Sequence, residues 1–387
     1  MTRAVRRLCT LLAVAEAVAL AAFAAEAPAE KFDPSVDRTD PNFVTASLLV
    51  FGPGEELFSC AGHACIRLEC PTYKLDYCFS YESERVSDRL MTFFAGKLKM
   101  GLFAIPTEEF LKEYATSGRG VVQYRLNLPA GIKQRLWKIL DERAAEGADL
   151  PYDYIKRGCA WSVLKCLMDG LNPAQIEPGP WPEKYRGHQR AIIASSLDHA
   201  PWARFFIHAI VGADVDRDIP NIRKVVVPAD FLAFMRNAKV DGQPVLTDEG
   251  KELLPMTLDC SAPFFTPMML ACLLVLVSIG NFFVRRPSVD GLFLAIQTMA
   301  GSFFTYLVCF SSLPATGWNW LIVPFNPLPL VFWRWRRYWA WPFVVVLVAW
   351  EAFMLLSPHQ LTDPAYLVLT LSYIVFYAKI GLLKRHR

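Results

Sequence analysis

Residues 62–81 read GHACIRLECPTYKLDYCFSY. From 63 to 69, Ala64, Ile66 and Leu68 alternate with His63, Cys65, Arg67 and Glu69. From 73 to 81, Tyr73, Leu75, Tyr77, Phe79 and Tyr81 alternate with Lys74, Asp76, Cys78 and Ser80. A period of two marks strands, and each strand has one apolar face. Only Pro71-Thr72 lies in the tight connection, so the stretch predicts a hairpin. Opposed opposite charges favour one register: Glu69 facing Lys74 and Arg67 facing Asp76. That register sets Cys65 against Cys78, as a cross-strand disulfide or as two buried thiols. It also puts His63 beside Ser80, at the end far from the turn.

Upstream, FVTASLLVF (43–51) reads as a strand broken by Gly52-Pro53-Gly54. Downstream, 106–116 and 131–146 read as helices on either side of a strand, VVQYRLNL (121–128). Then comes YDYIKRGCAWSVLKCLMDG (152–170), with helical spacing over 160–169 and Gly170 as its stop. Cys159 is therefore expected at a helix N-terminus, just after Gly158. Unpaired amides and the positive dipole end favour thiolate there. The same amides can hold an oxyanion, and a histidine partner can shuttle protons. A helix-borne cysteine facing a histidine on a sheet strand is the arrangement of papain-like thiol enzymes. His63 and Cys159 are thus the candidate catalytic pair, and Ser80 and Gly158 are candidates for orienting the histidine or building the oxyanion site.

The 387 residues are 53% apolar and 20% charged, with 40 basic against 37 acidic side chains. This excludes a disordered chain or a strongly charged nucleic-acid binder. The apolar excess gathers at the two ends. Residues 1–27 open with Arg3, Arg6 and Arg7, run apolar from Leu8 to Ala25 and carry small residues at 22–24. They read as a signal peptide, with an uncleaved anchor as the alternative because Glu16 interrupts the run. Residues 31–260, with 28 basic and 31 acidic side chains, read as one exported domain with a helical extension from about 173. Export permits disulfides among Cys60, Cys65, Cys70, Cys78 and Cys166.

Residues 261–387 predict a transmembrane domain of about five helices. Segments 262–284, 290–312, 339–357 and 363–383 each have the ~20 apolar residues a crossing needs. The proline-broken segment 314–333 either crosses as well or re-enters as an aromatic interfacial segment. If all five cross, Arg285, Arg286, Arg334, Arg336, Arg337, Lys379, Lys384, Arg385 and Arg387 all fall on the cytoplasmic side. The positive-inside rule therefore favours five crossings.

Several stretches resemble the N-terminal periplasmic domain of the Lnb family of lipoprotein N-acyltransferases. They are GHACIRL (62–68), DYCFSY (76–81), FFAGKLKMGLF (93–103), EYATSGRGVVQYRLNL (113–128) and YDYIKRGCAWS (152–162). SLPATGWNWLIVPFNPLPL (312–330) is similar to that family's membrane part. The resemblance implies an α+β, circularly permuted papain-like domain (NlpC- or LRAT-like), followed by an all-α transmembrane bundle in the bacterial inner membrane. It implies His63 as base and Cys159 as nucleophile, with phospholipid as acyl donor, a diacylated lipoprotein as acceptor, and no cofactor. This chain departs from the family's pattern twice: Gly158 and Ser80 stand where the family tends to have asparagine.

Arg119 is a candidate for a phosphate head group or for a salt bridge to its helix. Tyr152 and Tyr154 either wall the cleft or pack. Glu351, inside an expected span, is costly unless paired or wet, and is a candidate for an acyl-chain or head-group site. His188, His199 and His208 lack metal spacing and read as structural. PWARFFIHAIVG (201–212) suits a core helix or one lying on the membrane. The alternatives to acyl transfer are a cell-envelope thiol hydrolase, as phospholipase or amidase/peptidase, and a non-enzymatic membrane scaffold.

Overall fold

The computed structural model describes residues 36–382, with 58, 87, 148–149, 173–174, 182, 184–186, 357–359 and 361 excepted. The signal segment expected over 1–27 and the basic tail 383–387 lie outside the described residues.

The strands are β1 (Thr45–Phe51), β2 (His63–Cys70), β3 (Leu75–Ser83), β4 (Lys99–Pro106), β5 (Val121–Arg125) and β6 (Leu150–Pro151). Then β7 (Ile176–Glu177), β8 (Lys239–Val240) and β9 (Gln243–Pro244) form a small separate sheet, and β10 (Lys251–Leu254) returns to the first. The main sheet is antiparallel, in the order β10-β5-β1-β2-β3-β4-β6.

The helices of this half are α1 (Leu90–Phe94), α2 (Thr107–Thr116), α3 (Ala130–Ala145), α4 (Cys159–Leu171), α5 (Gln189–Ser195), α6 (Pro201–Ile210) and α7 (Pro228–Asn237). Ala64, Ile66, Leu68 and Phe79 pack on one sheet face against Leu136 of α3, Val163, Leu164 and Leu167 of α4, and Phe231 of α7. The opposite face is covered too. Phe51, Cys65 and Cys78 lie under Phe110 and Tyr114 of α2. Gly170 does not stop α4, which runs through it to Leu171 while the glycine packs on Leu136.

The hairpin register differs from the sequence expectation by two residues. Cys70 opposes Leu75, and Glu69 opposes Asp76. The connection is a 3-10 turn, Pro71–Tyr73, closed by Lys74 in the left-handed region (φ 53°), so it consumes four residues rather than two. Repulsion between the opposed carboxylates is offset by Arg67. Its guanidinium donates to both Asp76 oxygens at 2.8 and 2.7 Å and pairs with Glu69 at 2.9 Å. Cys60, Cys65, Cys70, Cys78 and Cys166 are all free thiols.

Among the described residues four helices are long and apolar enough to cross a membrane: α8 (Pro267–Val284), α9 (Pro287–Cys309), α10 (Arg336–Leu356) and α11 (Pro364–Leu382). The fifth expected helix is absent. Segment 314–333 is broken into a 3-10 turn, Trp320–Ile322, and one helical turn, Leu328–Val331. It nevertheless runs the length of the bundle. Near its start Thr316 donates to the Leu307 carbonyl, and at its far end Trp333 stacks on Phe376, which stacks on Phe293. Leu307 and Phe293 are separated by about 20 Å along α9.

A non-helical passage at this depth needs its polar groups satisfied by neighbours. Gln360 Oε1 accepts from Trp320 N at 2.7 Å, Trp350 Nε1 donates to the Trp320 carbonyl at 2.9 Å, and Gln297 Nε2 donates to the Pro324 carbonyl at 2.9 Å. Gly301 lets the passage approach α9, since a Cβ there would lie 2.5 Å from the Asn326 carbonyl carbon. Arg285, Arg286, Trp333 and Lys379, which pairs with Asp290 at 2.6 Å, all mark the bundle end remote from the sheet. A basic end of this kind is the one that the positive-inside rule expects on the cytoplasmic side.

Helix α6 lies across the other end. Trp202 Nε1 donates to the Phe265 carbonyl at 2.8 Å, Arg204 pairs with Asp363 at 3.0 Å, and Phe205 stacks on Tyr366 at 4.2 Å. It joins the sheet half to the bundle.

Candidate active site

Two β-strand ends and one helix start converge at the site. Gly62 has φ +84°, and a Cβ there would meet the Phe51 carbonyl at 2.7 Å, so only glycine fits the turn that delivers His63 into β2. Cys159 is the first residue of α4, preceded by Gly158 as N-cap. The Gly158 carbonyl accepts the first intrahelical bond, from Ser162 N at 3.0 Å. The amides of the first helical turn therefore have no carbonyl four residues back to bond.

Cys159 and His63 line the same cleft, close enough for the charge of each to act on the other. His63 Nε2 lies 2.7 Å from Ser80 Oγ and 3.4 Å from Glu82 Oε1. Ser80 is fully buried and donates its hydroxyl to Glu82 at 2.6 Å. Ser80 is thus beside His63 as expected. Glu82 is the residue the sequence reading missed. It shares the β3 face of Asp76, Cys78 and Ser80, and only the shifted register brings it to His63.

Burial alone would push the Cys159 thiol up; the His63 charge, its hydrogen bond and the Ala64 N–H outweigh this and hold it below its ordinary value. Burial alone would hold the His63 imidazole down, but Cys159 and then Glu82 raise it above its ordinary value. Glu82 is held low, because His63 and Ser80 outweigh its burial. Each group therefore favours the charged form of the other. Cys60, which also lines the cleft, is pushed up to about 11 by burial and stays a thiol.

The cleft holding these groups encloses about 300 Å³. Arg119 lines it. Its Nε donates to the Gly52 carbonyl at 3.0 Å, its guanidinium lies over the Tyr114 ring at 4.6 Å, and one terminal nitrogen is buried without a protein partner. Tyr154 both walls the cleft and packs, and its hydroxyl donates to the Pro314 carbonyl at 3.0 Å. Glu351 is not among the cleft residues. It lies in α10 with Oε1 buried and unpartnered, so the structure does not bring it to the pair. Among the described residues no cluster suited to a metal ion occurs.

No curated protein and no solved structure matches the chain. A family model described as the Lnb N-terminal periplasmic domain matches residues 31–182. That span contains His63, Ser80, Glu82, Arg119 and Cys159, so the matched part of the chain, about two fifths of its length, is similar to the Lnb N-terminal periplasmic domain.

Proposed function

We propose that this protein is a membrane-bound thiol acyltransferase of the inner membrane, with its sheet half on the periplasmic side in a permuted papain-like arrangement. The observation that carries the reading is the Cys159–His63 pair at a helix start, in a cleft adjoining the bundle. In the first step the Cys159 thiolate attacks an ester carbonyl of a phospholipid. The ester C–O bond breaks, and the His63 imidazolium protonates the departing lysophospholipid alkoxide. Amides at the start of α4 stabilise the oxyanion. In the second step the amine of a diacylated lipoprotein attacks the thioester, neutral His63 takes the amine proton, and the thiolate leaves as the amide forms. The match of residues 31–182 to the Lnb N-terminal periplasmic domain supports an enzyme of this class. The unpartnered Arg119 nitrogen supports a role in holding the donor phosphate.

The test is mass spectrometry of a diacyl lipopeptide incubated with the purified protein and phospholipid. A gain of one acyl group on the amine is expected, together with its loss in Cys159→Ala. Release of free fatty acid without lipopeptide gain would make the protein a hydrolase. Full amide formation by Cys159→Ala would remove the nucleophile assignment.

A further inference from the structure

The cleft is chemically lopsided. Around His63 and Cys159 its lining includes Arg119, Glu82 and Arg157, whereas toward the bundle it is hydrocarbon: Ile155, Ile193, Ile207, Ile210 and Val211. These apolar residues come from the loop before α4, from α5, and from α6 with the residue after it. The mechanism above uses none of them. Ile155 and Val211 form one cluster with Ile193, Ile207 and Tyr154, and Ala315 of the broken passage closes it. Ile210 continues the apolar surface to Phe93 of α1, Leu307 of α9 and Leu313. The hydrocarbon arm thus begins four residues before the nucleophile and ends where the bundle begins. The helix that walls it also carries Phe206, 51% exposed, beside Trp202 at the same end of the bundle.

We propose that this arm is the acyl-chain site. The methylenes nearest the carbonyl lie against Ile155 and Val211, and later ones lie between Ile193 of α5 and Ile207 of α6. The proposal rests on the thioester reading above and adds where the chain goes. A cleft of about 300 Å³ is at the small end of ligand sites, so it takes part of a long chain and leaves the rest toward the bilayer. The occupant is hydrocarbon rather than peptide because the arm's walls are aliphatic, and the Val211 carbonyl already accepts from Arg190 at 2.9 Å.

The test uses the full chain in detergent with p-nitrophenyl butyrate and p-nitrophenyl decanoate, read as acyl mass on Cys159 and as the nitrophenolate burst. The wild type should prefer decanoate, gaining a factor of about four for each methylene buried. Ile193→Trp and Ile207→Trp fill the arm and should each lower the decanoate-to-butyrate ratio by about tenfold or more. A cooperative thermal unfolding transition in detergent, with a Tm near that of the wild type, checks that each variant is folded. If a Trp variant does not fold, Ile193→Ala takes its place, and the lost contact should lower the decanoate rate more than the butyrate rate. A wild-type enzyme acylated equally by both esters, or a ratio unmoved in folded variants, overturns the arm while leaving the thioester. A wild type acylated by neither ester removes the thioester reading, and the arm with it.

Discussion

The Ser80 hydroxyl carries one proton, and it goes to Glu82. Ser80 must then accept from His63, so Nε2 carries a proton in the neutral as well as the charged ring. Glu82 thereby selects the tautomer as well as raising the imidazole. Glu82→Gln should lower the rate of Cys159 acylation by roughly 10²-fold. The sign of its pH effect follows from the charges. The thiolate–imidazolium form exists above the Cys159 pKa and below that of His63, so the profile is a bell. Removing the Glu82 charge lowers the His63 pKa and moves the alkaline limb to lower pH. The check is iodoacetamide alkylation of Cys159 against pH, with partial recovery in Glu82→Asp. An unmoved alkaline limb would reduce Glu82 to packing. His63, Cys159 and Ser80 were legible because alternation and helix spacing place them. Glu82 was not, because the charge rule treats facing carboxylates as prohibitive, and the diagonal reach of Arg67 removes that penalty.

Among the elements, those with a strong period were legible: β1 to β3, α2 to α4 and the four long apolar helices. β4 was not, since KMGLFAIP is apolar on both faces and gives no alternation. β10, KELL, is too short to show one. The broken passage was half legible: its prolines denied it a regular helix, while the basic residues around it favoured a crossing without deciding between that and a re-entrant segment. Its side-chain satisfaction makes a definite prediction. Asn319 donates to the Ala209 carbonyl at 2.6 Å and accepts from Leu321 N at 3.1 Å and Gln360 Nε2 at 3.1 Å. Asn319→Leu strands these buried groups and should cost about 1–3 kcal/mol for each left unpaired. Thermal unfolding in detergent measures it, and a Tm within error of wild type would show that the passage does not depend on Asn319.

For the whole molecule, the orientation is open to direct test. With Cys159, Cys260, Cys272 and Cys309 replaced by serine, a cysteine at Trp318 should react in intact cells with a membrane-impermeant maleimide. One at Ser288 should react only after permeabilisation. The reverse pattern would invert the chain in the membrane. The cleft is lined by the sheet half alone, but two of its lining residues pack on the bundle. Phe93 and Ile210 meet Leu307 and Leu313 of the bundle, so a sheet half expressed without residues 261–387 would expose that apolar seam.

Tyr154 touches Pro314 with its hydroxyl, and its own backbone carbonyl faces Gly158, where an added Cβ would come within 3.3 Å. One tyrosine therefore fastens the mouth of the membrane passage to the backbone that aims the sulfur. The two halves cannot tilt against each other, in a thinner or a thicker lipid layer, without changing the angle at which Cys159 meets its ester.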